Sequence, residues 1–182
     1  MNIIDHSAQY LARSIRRNYP EAGSETALTY SLSLVINSSI SFFISLVFCL
    51  FIGHLYECLI AICSFIILRF FSGGLHMSSS LSCCILSTSI IVIASLMTYE
   101  YSYYYMLIDF LTCLILLRTA PNGINNVSRI DPKYYPFLKM IAVALVCSNL
   151  IGQSTVITSA FLIQALLTTK PAYRLKFFLE GR

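Results

Sequence analysis

Between Leu28 and Ile52 the chain runs for 25 residues without a charged side chain. Coiled as an α-helix, such a run is long enough to cross the ~30 Å apolar core of a bilayer. Five further apolar segments follow, at about Leu55–Leu68, Leu81–Thr98, Tyr103–Leu117, Phe137–Ile151 and Ser154–Thr169. Several are short: the second and fourth, among others, fall below ~17 residues and must borrow flanking residues, tilt, or sit in locally thinned bilayer. With 57% hydrophobic residues, 11% charged and a mean hydropathy of +0.76, the 182-residue chain lies outside the usual makeup of a soluble domain. The expectation is an all-α integral membrane protein, a single polytopic domain over residues 1–182 with about six transmembrane helices.

The charges point to an orientation. With the N-terminus placed in the cytoplasm, all 12 Lys and Arg residues fall in connections on one side: Arg13, Arg16 and Arg17, then Arg69, then Arg118, Arg129, Lys133 and Lys139, then Lys170, Arg174, Lys176 and Arg182. The opposite connections carry His54, Glu57 and Glu100. Six spans with both termini cytoplasmic satisfy this alternation, and one span fewer would break it. The basic excess thus reads as topology, with the lipid bilayer as partner and no nucleic acid. Residues 1–20 contain Asp5 and three arginines and no continuous apolar core, so they do not read as a secretory signal. Ile3, Ile4, Tyr10, Leu11 and Ile15 share a face at helical spacing, which suggests an amphipathic helix lying at the membrane interface; a frayed polar tail is the alternative. The seven cysteines are scattered through apolar runs, without the spacing of a disulfide framework or zinc ribbon.

One stretch resists the apolar pattern. In "FFSGGLHMSSSLSCC", Phe70 to Cys84, a glycine pair, a histidine, three serines and a cysteine pair interrupt two apolar runs. On an unbroken helix His76 and Cys83 would share a face but stand ~10.5 Å apart in rise, too far for an imidazole to reach a thiol. Gly73 and Gly74 permit a bend, and Ser78, Ser79 and Ser80 suit a helix N-cap, so the segment reads as a loop folding back beside a helix that starts near Leu81. Cys83 then lies in the first turn, where backbone N–H groups and the helix dipole favour a thiolate and an oxyanion. His76 is the candidate base, and Arg69 adds positive potential or grips a substrate carboxylate. Successive helical residues point ~100° apart, so Cys83 and Cys84 cannot both face His76. Three other readings stay open: accidental proximity, a soft-metal site of His76, Cys83 and Cys84, and a transporter or non-catalytic scaffold in place of an enzyme. Asp109, inside the apolar run "YYYMLIDFLTCLILL", could orient His76, carry protons, or be a hydrogen-bonded structural carboxyl.

The set Arg69, Gly74, His76 and Cys83, followed after two more spans by "APNG" at Ala120–Gly123, resembles the accessory gene regulator B (AgrB) family of bacterial membrane peptidases. The resemblance extends over the whole chain. It implies a cysteine endopeptidase of the bacterial cell membrane that removes the C-terminal part of a membrane-associated quorum-sensing propeptide and promotes cyclisation of the remainder to a thiolactone or lactone. In it His76 and Cys83 take the catalytic positions and Arg69 and Gly74 match nearby motif positions; residues 69–84 are then the catalytic loop and helix start, and Arg69, Gly74, Ser80 and Asp109 are the candidates for supporting or substrate-binding roles. No metal or organic cofactor is required, and a homodimer is left open.

Overall fold

The computed structural model describes residues 3–123 and 130–181. Within them the regular structure is helical, without strands: α1 (Ile3–Asn18), α2 (Glu25–Phe51), α3 (Leu55–Ser72), α4 (Ser80–Ser95), α5 (Tyr103–Thr119), α6 (Tyr135–Gly152), α7 (Thr155–Leu166) and α8 (Lys170–Leu179). A 3₁₀ turn, Pro132–Tyr134, leads into α6. The helical stretches Glu25–Phe51, Leu55–Ser72 and Pro132–Gly152 are long and apolar enough to cross a membrane, whereas Ser80–Ser95 and Thr155–Leu166 are apolar but shorter. The basic residues Arg129 and Arg182, with the middle of the connection after α5, lie outside the described residues.

The elements differ from the sequence expectation at three places. Arg69 is not in a connection: α3 continues to Ser72, so Arg69 occupies its last turn. The sixth apolar segment does not run to Thr169, because α7 stops at Leu166 after 12 residues, about 18 Å of rise. Thr168 and Thr169 turn their hydroxyls back onto the carbonyls of Ala165 and Leu166, at 2.6 and 2.7 Å, and Pro171, in the first turn of the next helix, has no N–H to extend the ladder. The third difference is α8 itself, a short helix beyond the six apolar segments for which the sequence reading had no element.

Helix α1 buries Ile4, Ala8 and Ala12 at four-residue spacing and packs on α2, the alanines allowing close approach. Its Arg13 Nε donates to Glu25 Oε1 at 2.9 Å, an exposed pair worth little. Ser24 caps α2, its hydroxyl accepting from Ala27 N. Helices α2 and α4 run parallel: the Ser41 hydroxyl donates to Cys84 O at 3.4 Å, and further along Cys49 Sγ lies 3.2 Å from Ser95 Oγ. Two apolar clusters hold the bundle. One joins Cys49, Ala61, Ile91 and Ala160 from α2, α3, α4 and α7; the other joins Leu68, Leu116, Val146 and Phe161 from α3, α5, α6 and α7. Helix α7 contributes to both and is the most enclosed. The outer surface is apolar, with Phe51 84% and Ile151 89% exposed, as a lipid-facing exterior requires.

Candidate active site

The ends of α3 and α7 meet, and the chain between Ser72 and His76 is tied to both. Leu75 N donates to Leu167 O at 3.1 Å, Gly74 N to Asn122 O at 2.8 Å, and Asn122 N to Ser72 O at 3.0 Å. Asn122 Nδ2 adds a bond to Thr168 O at 2.7 Å. The carbonyls that α7 leaves open at its C-terminus therefore hold two loops. Gln164, fully buried on α7, donates Nε2 to Gly73 O at 2.6 Å and to Ser72 Oγ at 2.9 Å, and its Oε1 accepts from Arg69 Nη1 at 3.3 Å. Gly74 sits at φ +133°, and a Cβ there would lie 3.2 Å from Gln164 Nε2 and 3.4 Å from Arg69 Nη1. The backbone conformation strains any side chain there, and a Cβ would press on the Gln164 amide.

Arg69 Nη2 donates to Leu75 O at 2.7 Å and lies 3.1 Å from His76 Nε2. A guanidinium only donates, so Nε2 is the acceptor and the ring proton sits on Nδ1, which is buried without a partner. Burial, then the positive charges of Arg69 and Lys176, push the His76 pKa down to about 4, leaving the imidazole neutral at physiological pH. His76 and Cys83 line one cavity of about 950 Å³, with Tyr30, Tyr173, Lys176, Asn122 and part of α2 among the other walls. No hydrogen bond joins the two in this resting arrangement, among the described residues. Cys83 is half-buried on the cavity side, while Cys84 turns into the core at 6% exposure.

The serines are used differently from the N-cap expectation. Ser79 takes the cap position of α4 without a side-chain cap bond. Ser78 donates its N–H and hydroxyl to the Glu180 carboxylate at 2.7 and 2.8 Å, so the end of α8 grips the His76 loop. Ser80 donates to Asp5 Oδ1, tying α1 to the start of α4. Asp109 is not brought to this site. Its Oδ2 accepts from Tyr101 at 2.7 Å and from Asn149 at 3.0 Å, in the half of α5 away from Thr119, whose hydroxyl lies 2.6 Å from that of Thr168. Ten residues of α5 separate Asp109 from Thr119, about 15 Å.

The sequence reading missed Gln164, Tyr30, Tyr173 and the tail residues Lys176 and Glu180. A lone amide in the apolar run "SAFLIQALL" is a signal that would have found Gln164; the tail residues offered none. Among the described residues no group of three or more His, Cys, Asp and Glu side chains converges as a metal site.

Apolar helices exposed on the outside, around a cavity lined by both Cys83 and His76, are those of a membrane protein. The chain belongs to the accessory gene regulator B (AgrB) family, whose model matches residues 4–170. That membership links it to the processing of autoinducing peptides in quorum sensing, with a membrane-bound propeptide as substrate. No curated protein and no solved structure matches the chain.

Proposed function

We propose that the chain is a multi-pass cysteine endopeptidase that cuts a quorum-sensing propeptide through an acyl-enzyme thioester and promotes closure of the freed fragment to a thiolactone or lactone. The observation that carries this reading is the shared cavity: His76 and Cys83 open onto one space large enough for a peptide segment, in a chain of the AgrB family.

Cys83 Sγ attacks the scissile carbonyl while His76 accepts the thiol proton and delivers it to the leaving amine; the C–N bond breaks and a thioester remains on Cys83. A Cys or Ser of the acyl fragment then attacks the thioester, Cys83 leaves, and the fragment closes into a ring. Exchange with a thiol swaps one thioester for another and is near neutral in energy, and exclusion of water protects the intermediate. For His76 to act as base, Nε2 must leave Arg69; a substrate carboxylate that draws the guanidinium aside would free it. Ser80 and Gly74 support the loop, and Asp109 serves the fold. Both termini and the His76 loop face the cytoplasm in this reading, with α1 along the inner membrane surface.

The test is to trap the intermediate. With a propeptide whose internal nucleophile is replaced, intact-protein mass analysis is expected to find an acyl adduct on Cys83 in the unaltered chain and none in Cys83→Ala or His76→Ala. An adduct on another residue, or undiminished cleavage in Cys83→Ala, overturns the mechanism.

A further inference from the structure

Asn37 stands on the long apolar helix α2, only 4% exposed, and its Oδ1 is buried without a hydrogen-bond partner. Its own backbone carbonyl accepts from the Ser41 hydroxyl at 2.8 Å, while the side-chain oxygen is left without a donor. A buried acceptor left unpaired costs free energy, more so at membrane depth, where no bulk water competes. Asn37 also lines the cavity that Cys83 and His76 line, together with Thr26, Thr29 and Ser33 on the same helix. Spacings of three and four residues put these polar groups on one face.

The register of α2 against α4 fixes the depth of Asn37. The Ser41 hydroxyl reaches Cys84 O, and one turn back along each of these parallel helices brings Asn37 level with Ser80, within a turn of Cys83. The polar face from Thr26 to Asn37 thus runs along the cavity wall from beside Glu25, which also lines it, to the level of the thiol. Its eleven-residue rise of about 16 Å matches about five residues of extended chain at ~3.3 Å each. A peptide strand drawn into an apolar bundle brings N–H and C=O groups that must be paired; hydroxyls can donate or accept, and a carboxamide oxygen accepts.

We infer that the Thr26–Asn37 face of α2 is a backbone-binding subsite for an extended peptide, with Asn37 Oδ1 accepting a backbone N–H of the residue next to the bond presented to Cys83. This deepens the peptidase reading and rests on it. Such a subsite reads main chain rather than side chains, and so positions a substrate without dictating its sequence.

The experiment measures binding rather than turnover, on Cys83→Ala protein in lipid nanodiscs. The probes are overlapping fluorescein-labelled heptapeptides of a membrane-associated propeptide that the unaltered chain processes, each N-methylated at one backbone position in turn. One position is expected to lose about tenfold in affinity on methylation, the scale of a single hydrogen bond. Asn37→Leu in the same background should weaken the unmethylated peptide by about tenfold and remove the methylation penalty. If no position costs more than about twofold, or if the two losses multiply to about 100-fold, the subsite is overturned. The methyl scan alone needs no change at Asn37, and Asn37→Ala replaces the leucine variant should that one not fold. Cleavage of the probes by Cys83→Ala protein would instead sink the nucleophile assignment, while the methyl coupling would still report on the subsite.

Discussion

Arg69 Nη2 stands 3.1 Å from His76 Nε2, so in the resting protein the histidine nitrogen with the free lone pair is already taken. The same guanidinium holds Leu75 O and Gln164 Oε1, which joins the base, its loop and the end of α7 into one unit. Arg69 is therefore a positioning residue with an electrostatic effect, and the two contributions separate experimentally.

The first prediction is a pH profile. Because His76 is pushed down to about 4 by burial and then by Arg69 and Lys176, acylation that needs a neutral imidazole should stay level from pH 8 to about 5 and be half lost near 4. Arg69→Ala should lower the rate and shift the inflection upward, yet short of the ordinary ~6.5, since burial is the larger cause. Stability follows the same sign. Between pH 6.5 and 4 the unfolded chain holds the His76 proton and the folded chain does not, so stability falls with falling pH across that window, by up to roughly 3 kcal/mol. Rate profiles of adduct formation and melting curves over pH 4–8 check both; an unmoved inflection in Arg69→Ala would refute the electrostatic part.

A second prediction separates the adjacent cysteines. Cys83→Ala should abolish the acyl adduct with little effect on folding, because the side chain borders the cavity. Cys84, at 6% exposure, is a packing residue, so Cys84→Ala should cost about 1 kcal/mol of stability and leave acylation in place. Adduct mass and melting temperature read the two effects apart.

Gly74 gives a third. At φ +133°, with Gln164 and Arg69 closing the space over its Cα, Gly74→Ala must strain or move the loop, at a cost of about 1–3 kcal/mol. The expected outcome is loss of adduct formation with the helical circular-dichroism signal retained. Wild-type acylation rates would remove the steric argument.

Asp109→Ala supplies the fourth, opposite in pattern. It strips the shared acceptor from Tyr101 and Asn149 and should destabilise by about 1–3 kcal/mol, while folded protein still forms the adduct. A folded Asp109→Ala variant that binds peptide but cannot be acylated would return Asp109 to the reaction.

The proposed orientation yields a fifth. A cysteine placed at Ser78 in a cysteine-depleted background should resist an impermeant thiol reagent in intact cells and react after permeabilisation. Ready labelling in intact cells would reverse the topology.

The sequence by itself determined what local chemistry controls. Uncharged runs such as 28–52 demanded apolar surroundings, the glycine pair with His76 and Cys83 marked the interruption where polar chemistry sits, and Ile3, Ile4, Tyr10, Leu11 and Ile15 marked α1 as amphipathic, although the face it buries is that of Ile4, Ala8 and Ala12. The tertiary structure alone decided which distant residues complete that place. Arg69 meets Gln164 95 positions away, Ser78 meets Glu180 102 positions away, and Asp109, read as a possible partner of His76, goes to Asn149 instead. Helical periodicity tells which face of a helix is turned inward, but not which helix it meets or at what height. Those follow from how far α7 runs before Thr168, Thr169 and Pro171 stop it, and from which carbonyls its end then leaves for the loops of the site.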